Sequence, residues 1–330
     1  MKKVVITGIK PTGIAHIGNL FGALKPAIEM ANNPEYACYY FIADYHALNY
    51  IKNADELKAN TKDLVCTLLA LGMDKENIVL YKQSDIAEVT ELTWLLSGIT
   101  PKGLLNRAHA YKAKVEEATS AGADPDSLVN MGLFNYPLLM AADILMLNTS
   151  LVPVGADQKQ HVEMARDIAG YFNKTYKNTF VVPQEIINKD VGTIFGTDGR
   201  KMSKSYNNII PIFAEENKLK KLIMSIKTDS SLPTEPKPLD CAVMNLFKLF
   251  ATEKEYNAEV KKYKKGLSWA EAKTDLFNLI NDYIAPMRQK YNYYKEHYDI
   301  AEAMLYKNAQ KVKKIAGETL ARARKAVGIE

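Results

Sequence analysis

"VVITGIKPTGIAHIGNL", residues 4–20, decides how the chain begins to fold. An apolar run (4–9) gives way at once to a proline, two glycines, a histidine and an asparagine, and a helical pattern then runs from about Asn19 to Ala31. A short continuous apolar run closed by a glycine turn and followed by helical periodicity predicts a buried parallel strand feeding a crossover helix. Gly13 and Gly18 let backbone amides come close to a ligand, because no Cβ stands in the way. The helix start aims its free N–H groups and positive dipole end into the same space. His16 and Asn19 add side-chain donors. The stretch contains neither a P-loop nor a G-x-G-x-x-G turn. Two readings therefore stand: a plain strand-to-helix turn, or a turn built to hold phosphate.

Further along, the alternation continues. Residues 38–44 and 77–81 predict a second and a third strand, with a helix from about Ala54 to Gly72 between them. Asp85 followed by Glu88 predicts a capping box ahead of "VTELTWLL". "LVPV" (151–154) predicts another strand, leading into a helix from about Asp157 to Tyr171. Strands alternating with helices imply an α/β fold, a doubly wound, Rossmann-like parallel sheet. After residue 206 the chain reads as helices with lysine-rich faces, apart from a short "IIPI" run (209–212) and a proline-rich connection (230–240). Leu305, Val312, Ile315, Leu320 and Val327 recur near helical spacing, predicting a final amphipathic helix. The expected organisation is an α/β domain over 1–206, a mainly helical second domain over 207–300, and a C-terminal helix over 301–330 that packs back on the first.

The 330 residues carry a formal charge of +5, with 47% hydrophobic and 25% charged residues, the balance of a globular protein. No apolar run reaches the roughly 20 residues of a bilayer span, and the N-terminus enters a strand pattern directly, so a cytoplasmic protein without membrane contact is expected. Cys38, Cys66 and Cys241 show no metal-ligand spacing, and no structural metal is expected. Lysine and arginine gather late, at 218–227, 261–265, 311–314 and 322–325. Such clusters suit solvated helix faces or a nucleic-acid footprint, and charge alone does not choose.

"DGRKMSKSYNN" (198–208) sharpens the choice left by the first turn. Lys201 and Lys204 sit on a loop rich in glycine and serine. A lysine pair there can meet the charge that develops on a triphosphate as pyrophosphate leaves. "HIGN" (16–19) and "KMSKS" (201–205) together resemble the two signatures of the class I aminoacyl-tRNA synthetases. "GIKPTG" (8–13), "ADYHAL" (43–48), "YPLLMAADILM" (136–146) and "VPVGADQKQHVE" (152–163) narrow the resemblance to the tryptophanyl-tRNA synthetases, over essentially the whole chain.

One of these stretches has a reading of its own. Tyr136, Met140 and Asp143 fall on one helix face. Asp143 lies among apolar residues with no lysine or arginine one turn away, and a buried carboxylate needs a partner. That partner is either a group from elsewhere in the fold or a ligand donor. Indole offers one N–H and no acceptor, so a carboxylate in an apolar slot suits tryptophan and would reject phenylalanine.

The resemblance implies the rest. Catalysis would rest on His16, Asn19, Lys201 and Lys204. ATP, with Mg2+, would be held by these together with Lys10, Pro11, Thr12, Gly18, Lys112, Gly155, Ala156, Asp157 (at the ribose hydroxyls), Ile194 (near the adenine), Met202, Ser203 and Ser205. Tryptophan would be held by His46, Tyr136, Met140, Asp143, Val152, Val154 and Gln158, the last at its ammonium end. On sequence alone Asp157 also reads as a helix N-cap, Val152 and Val154 as strand core, and Lys114 competes with Lys112. Three positions depart from the family's habit: Lys10 stands where many relatives carry glutamine, Ile6 replaces an aromatic residue, and Asn19 replaces the second histidine of the first signature. The implied activity is ligation of tryptophan to tRNA(Trp) by a homodimer with L-tryptophan and ATP as substrates, residues 1–206 forming the catalytic domain and 207–300 the tRNA anticodon-binding domain. The alternatives are a tyrosyl-tRNA synthetase, weakened by the missing RNA-binding module and the "LMAADIL" pocket, and an idle synthetase-like binding protein.

Overall fold

The computed structural model describes residues 2–155, 158–187 and 192–329. Five parallel strands form the described sheet: β1 (Lys3–Ile9), β2 (Tyr36–Ile42), β3 (Ile78–Lys82), β4 (Leu151–Val154) and β5 (Gln184–Ile187), in the order β3-β2-β1-β4-β5. Pairing runs in register from Lys3 opposite Tyr36 to Ile9 opposite Ile42. Side chains alternate across the sheet: Val5, Tyr40 and Leu80 enter one core, while Ile6, Phe41 and Tyr81 enter the other. Burial on both faces is what continuous apolar strand runs predict.

The first crossover helix, α1, begins at Ile17 and continues through a wide turn at Leu20–Leu24 and a last segment, Lys25–Met30. The crossover from β2 to β3 is α2 (Ala54–Leu68), whose N-cap Asn53 accepts from the Asp55 and Glu56 amides. Both pack on the first face. On the opposite face lie α3 (Glu88–Ser97), the buried α5 (Met131–Leu145) and α6 (Lys159–Thr175); the exposed α4 (His109–Ser120) precedes α5. Beyond residue 210 follow α7 (Glu216–Met224), α8 (Ala242–Phe250), α9 (Glu253–Lys265), α10 (Trp269–Glu296) and α11 (Tyr298–Val327). The first core is continuous from Leu64 of α2 through Ile210 and Ile212 to Leu276, Ile280 and Tyr291 of α10. Polar contacts reinforce it: the Tyr291 hydroxyl donates to Asp63, and Lys290 pairs with Asp74 at 2.6 Å.

The last helix, α11, lies along the free edge of β3 and against α3. Asn308 Nδ2 donates to the Leu80 carbonyl at 3.1 Å, satisfying an edge group of the sheet. Leu305, Val312 and Leu320 are buried beneath it.

Several local expectations are corrected. The second strand ends at Ile42, and Asp44 opens a helical turn (Asp44–Ala47) instead of closing the strand. No capping box forms at α3: its N-cap is Ala87, without a side-chain bond, and Asp85 pairs with Lys82 at 3.4 Å. The cause is a tight 3-10 turn over Gln83–Asp85 that directs Asp85 backward. The helix expected over 157–171 spans Lys159–Thr175 with Gln158 at its N-cap, and Asp157 lies outside the described residues. Strand β5 has no counterpart among the sequence expectations. Among the described residues no helix is long and apolar enough to cross a membrane.

Candidate active site

Strand order reverses between β1 and β4, one leading to β2 and β3 and the other to β5. In open parallel sheets such a reversal opens a crevice at the carboxyl ends of the strands, where ligands bind. Two predicted segments flank it: the turn after β1 and Gly155 after β4, exposed at the strand end.

The first turn is shaped by its glycines. Gly13 has φ +97°, a left-handed conformation that a side chain would strain. A Cβ at Gly18 would lie 2.9 Å from His16 Nδ1, so glycine there gives the imidazole its room. Asn19 Oδ1 accepts from the His16 N–H at 3.1 Å, which fixes the start of α1. His16 is 8% exposed, and its Nδ1 has no hydrogen-bond partner among the described residues. Burial, and secondarily the charge of Lys204, lower its pKa to about 4, so the imidazole is neutral near pH 7. Pro11 is buried and Thr12 exposed, while the exposed Lys10 lies 5.2 Å from the Tyr50 ring centroid.

The lysine-bearing loop comes back to this turn. Ile17 N–H donates to the Ile210 carbonyl at 2.9 Å, and Ile212 N–H to the Ala15 carbonyl at 3.1 Å. The "IIPI" run thus docks beside the turn, and Lys204 Nζ reaches the Thr12 carbonyl at 2.8 Å across 192 positions of sequence. Met202 is buried, its N–H on the Ile194 carbonyl at 2.8 Å, and both side chains join the first core. Ser203 and Ser205 hydroxyls bond each other at 2.8 Å, and Lys201 is exposed. One residue that sequence reasoning missed holds the loop: buried Asn208 accepts from Ser203 N–H at 2.8 Å and donates to Asp198 at 2.7 Å and to the Lys201 carbonyl at 3.1 Å. Lys112 is exposed and without an ion pair among the described residues, whereas Lys114 pairs with Glu117 at 2.6 Å.

The second part of the site lies on one face of α5. Asp143 is 1% exposed. Its partners come from two other turns: Gln83 Nε2 donates to Oδ1 at 3.0 Å and to Oδ2 at 2.8 Å, and His46 Nε2 lies 3.0 Å from Oδ2. The alternative of a partner from elsewhere in the fold is therefore realised, so the carboxylate does not depend on a ligand for its only hydrogen bond. Burial pushes its carboxyl up, and the His46 and Gln83 contacts counter that by favouring the ionised form. Two turns back along α5, the Tyr136 hydroxyl bonds His161 Nε2, whose Nδ1 lies 2.9 Å from Gln158 Oε1. His161, another residue missed from sequence, joins two predicted ones. Tyr136 and Asp143 are seven positions apart, about 10 Å along a helix, a length that suits an amino acid with a polar group at each end. Met140 lies between them, half-buried. Val152 and Val154 are buried in the same core as α5. Ala156 and Asp157 lie outside the described residues.

A crevice at a strand-order reversal, with a lysine-bearing loop at one end and a buried carboxylate at the other, is the arrangement of an α/β enzyme. Comparison with known proteins specifies it. The family "tRNA synthetases class I (W and Y)" matches residues 2–285, and the chain belongs to that family. The tryptophan--tRNA ligase of Neisseria meningitidis is 46% identical over 99% of this chain and 98% of that protein. That of Bordetella parapertussis is 45% identical over 100% of this chain and 74% of its own length. Among solved structures, tryptophanyl-tRNA synthetase from Campylobacter jejuni, complexed with ADP and tryptophan, superposes with a TM-score of 0.90 at 41% identity, covering 98% of this chain and 99% of the other.

Proposed function

We propose that the protein activates L-tryptophan with ATP to tryptophanyl-adenylate and transfers the tryptophanyl group to tRNA(Trp). The observation that carries this reading is the reach of Lys204 to the Thr12 carbonyl, which sets the cation of a distant loop in the turn at the head of the crevice. In the first step the tryptophan carboxylate attacks the α-phosphorus in line, and the bond to the bridging oxygen breaks as pyrophosphate leaves. ATP brings Mg2+ with it as part of the substrate. Lys204 exchanges the Thr12 carbonyl for phosphate oxygen, and Lys201 joins it, so that both meet the charge on the leaving group. Neutral His16 offers one N–H without adding charge, and Asn19 holds the helix start that presents the amides. In the second step a terminal ribose hydroxyl of tRNA attacks the adenylate carbonyl and AMP leaves. No side chain becomes covalently attached; rate comes from positioning and electrostatics.

At the other end, Asp143 accepts the indole N–H, Met140, Val152 and Val154 supply apolar wall, and the Tyr136–His161–Gln158 chain meets the substrate ammonium. Lys112, Gly155, Ala156, Asp157 and Ile194 belong to the ATP side of the same reading. The tRNA side rests on the lysine-rich faces of α7, α9 and α11. Homodimerisation, with tRNA reaching from one subunit's helical part to the other's crevice, agrees with an exposed indole at Trp94, 77% accessible in the single chain. The test is ATP–pyrophosphate exchange with each proteinogenic amino acid in turn. Exchange with tryptophan alone supports the reading; exchange with tyrosine overturns the pocket, and none with any amino acid favours an idle homologue.

A further inference from the structure

The turns after β2 and β3 are fastened to each other by reciprocal bonds. Asp44, in the first, accepts from Ser84 N–H at 3.0 Å; Gln83, in the second, accepts at Oε1 from Tyr45 N–H at 3.1 Å. Tyr45 N–H, which Asp44 Oδ1 shares at 3.1 Å, faces one end of the Gln83 amide and the Asp143 carboxylate faces the other, so the oxygen belongs at Tyr45 and the NH2 at Asp143. Gln83 is 0% exposed, so neither end competes with water. The clasp therefore delivers two side chains, His46 and Gln83, onto one carboxylate.

The identity of the donor matters. A lysine or arginine would neutralise Asp143 and hold it in an ion pair. A glutamine favours the ionised form through hydrogen bonding while leaving the negative charge in place for a ligand donor. The other groups acting on Asp143 are His46, at hydrogen-bond distance, the buried Tyr81 phenol and the like charge of Asp44. Neither Tyr81 nor Asp44 helps to keep the carboxylate charged: the Tyr81 hydroxyl has no hydrogen-bond partner among the described residues, and Asp44 opposes the charge. Without Gln83, His46 alone would support it.

We propose that Gln83 is a specificity-determining positioning residue, whose amide, locked by Tyr45 N–H, keeps Asp143 ionised and oriented so that the site selects a side chain bearing an N–H. The inference rests on the reading of Asp143 as the acceptor of the indole N–H. Its test compares dissociation constants of L-tryptophan and of L-3-benzothienylalanine, which has sulfur in place of the N–H, for the wild type, Gln83→Met and Gln83→Asn. Gln83→Asn keeps the amide but is too short to bridge Tyr45 and Asp143, and it serves if the methionine variant does not fold.

The wild type is expected to prefer tryptophan to benzothienylalanine at every pH between about 6 and 8. Loss of the amide raises the Asp143 pKa further, so tryptophan affinity should fall about tenfold in the variants and fall more as pH decreases. Benzothienylalanine affinity and the exchange rate at saturating tryptophan should stay within about twofold of wild type. The proposal is overturned if folded variants bind tryptophan like wild type across the range, or if both ligands weaken equally, as a purely structural role would give. A wild type that binds the two ligands equally would overturn the reading of Asp143 itself, and this proposal with it.

Discussion

The two ends of the crevice are built on opposite principles. At the end proposed for the nucleotide the charged groups are exposed or held by a single reversible contact: Lys201 faces solvent, and Lys204 rests on one backbone carbonyl. At the end proposed for the amino acid Asp143 is buried and bonded from two directions by the protein itself. The contrast follows from what each must do. Stabilising a leaving pyrophosphate needs charge that can move onto it as it forms. Choosing one side chain needs a polar group fixed where a wrong ligand leaves it unpaired.

The largest effect is expected from Lys204→Ala. Adenylate formation should fall by about 100- to 1,000-fold with little change in tryptophan affinity, measured by single-turnover kinetics. Next comes the proton balance of His16, the buried group of the open end. Its folded pKa of about 4 lies below the ordinary 6.5. The unfolded chain therefore takes up a proton first as pH falls, and stability is lost between those values and complete above 6.5. The loss approaches about 3 kcal/mol. Urea unfolding of wild type and His16→Asn at both ends of that range should show the difference, and parallel curves would refute it.

Asp143→Asn probes the closed end. Tryptophan binding should weaken by about 2 kcal/mol, or roughly 30-fold, while the exchange rate at saturation holds, as read by calorimetry and exchange. Asn208→Ala releases the anchored loop without removing a cation. It should lower the rate of adenylate formation about tenfold and leave tryptophan affinity alone. The smallest effect is expected at Asn308→Ala, remote from both ends, which uncaps the Leu80 carbonyl. Thermal stability should drop by about 1 kcal/mol with exchange unchanged.

What the sequence made legible divides along the same line. The first turn, its helix and the "KMSKS" loop show themselves because their glycines and lysines stand at short spacing within single stretches of sequence. The α5 face was readable because Tyr136, Met140 and Asp143 share one helical periodicity. Gln83, His161 and Asn208 were not, since each acquires its meaning from partners that only folding supplies: Gln83 meets Asp143 across 60 positions and His161 meets Tyr136 across 25. The failed capping box at Asp85 belongs to the same cause, because the tight turn that delivers Gln83 removes Asp85 from the helix start. Strand β5 escaped for a different reason: it has only four residues, follows Pro183 and begins with two polar residues, and pairing with β4 rather than its own pattern makes it a strand.

The division of labour is tested most directly by single-turnover adenylate formation in Lys204→Ala as tryptophan concentration is varied. The account predicts a maximal rate reduced by about 100-fold or more with the half-saturating tryptophan concentration unchanged. A preserved maximal rate with a raised half-saturating concentration would contradict it, because the lysine loop would then be holding the amino acid rather than driving the chemistry.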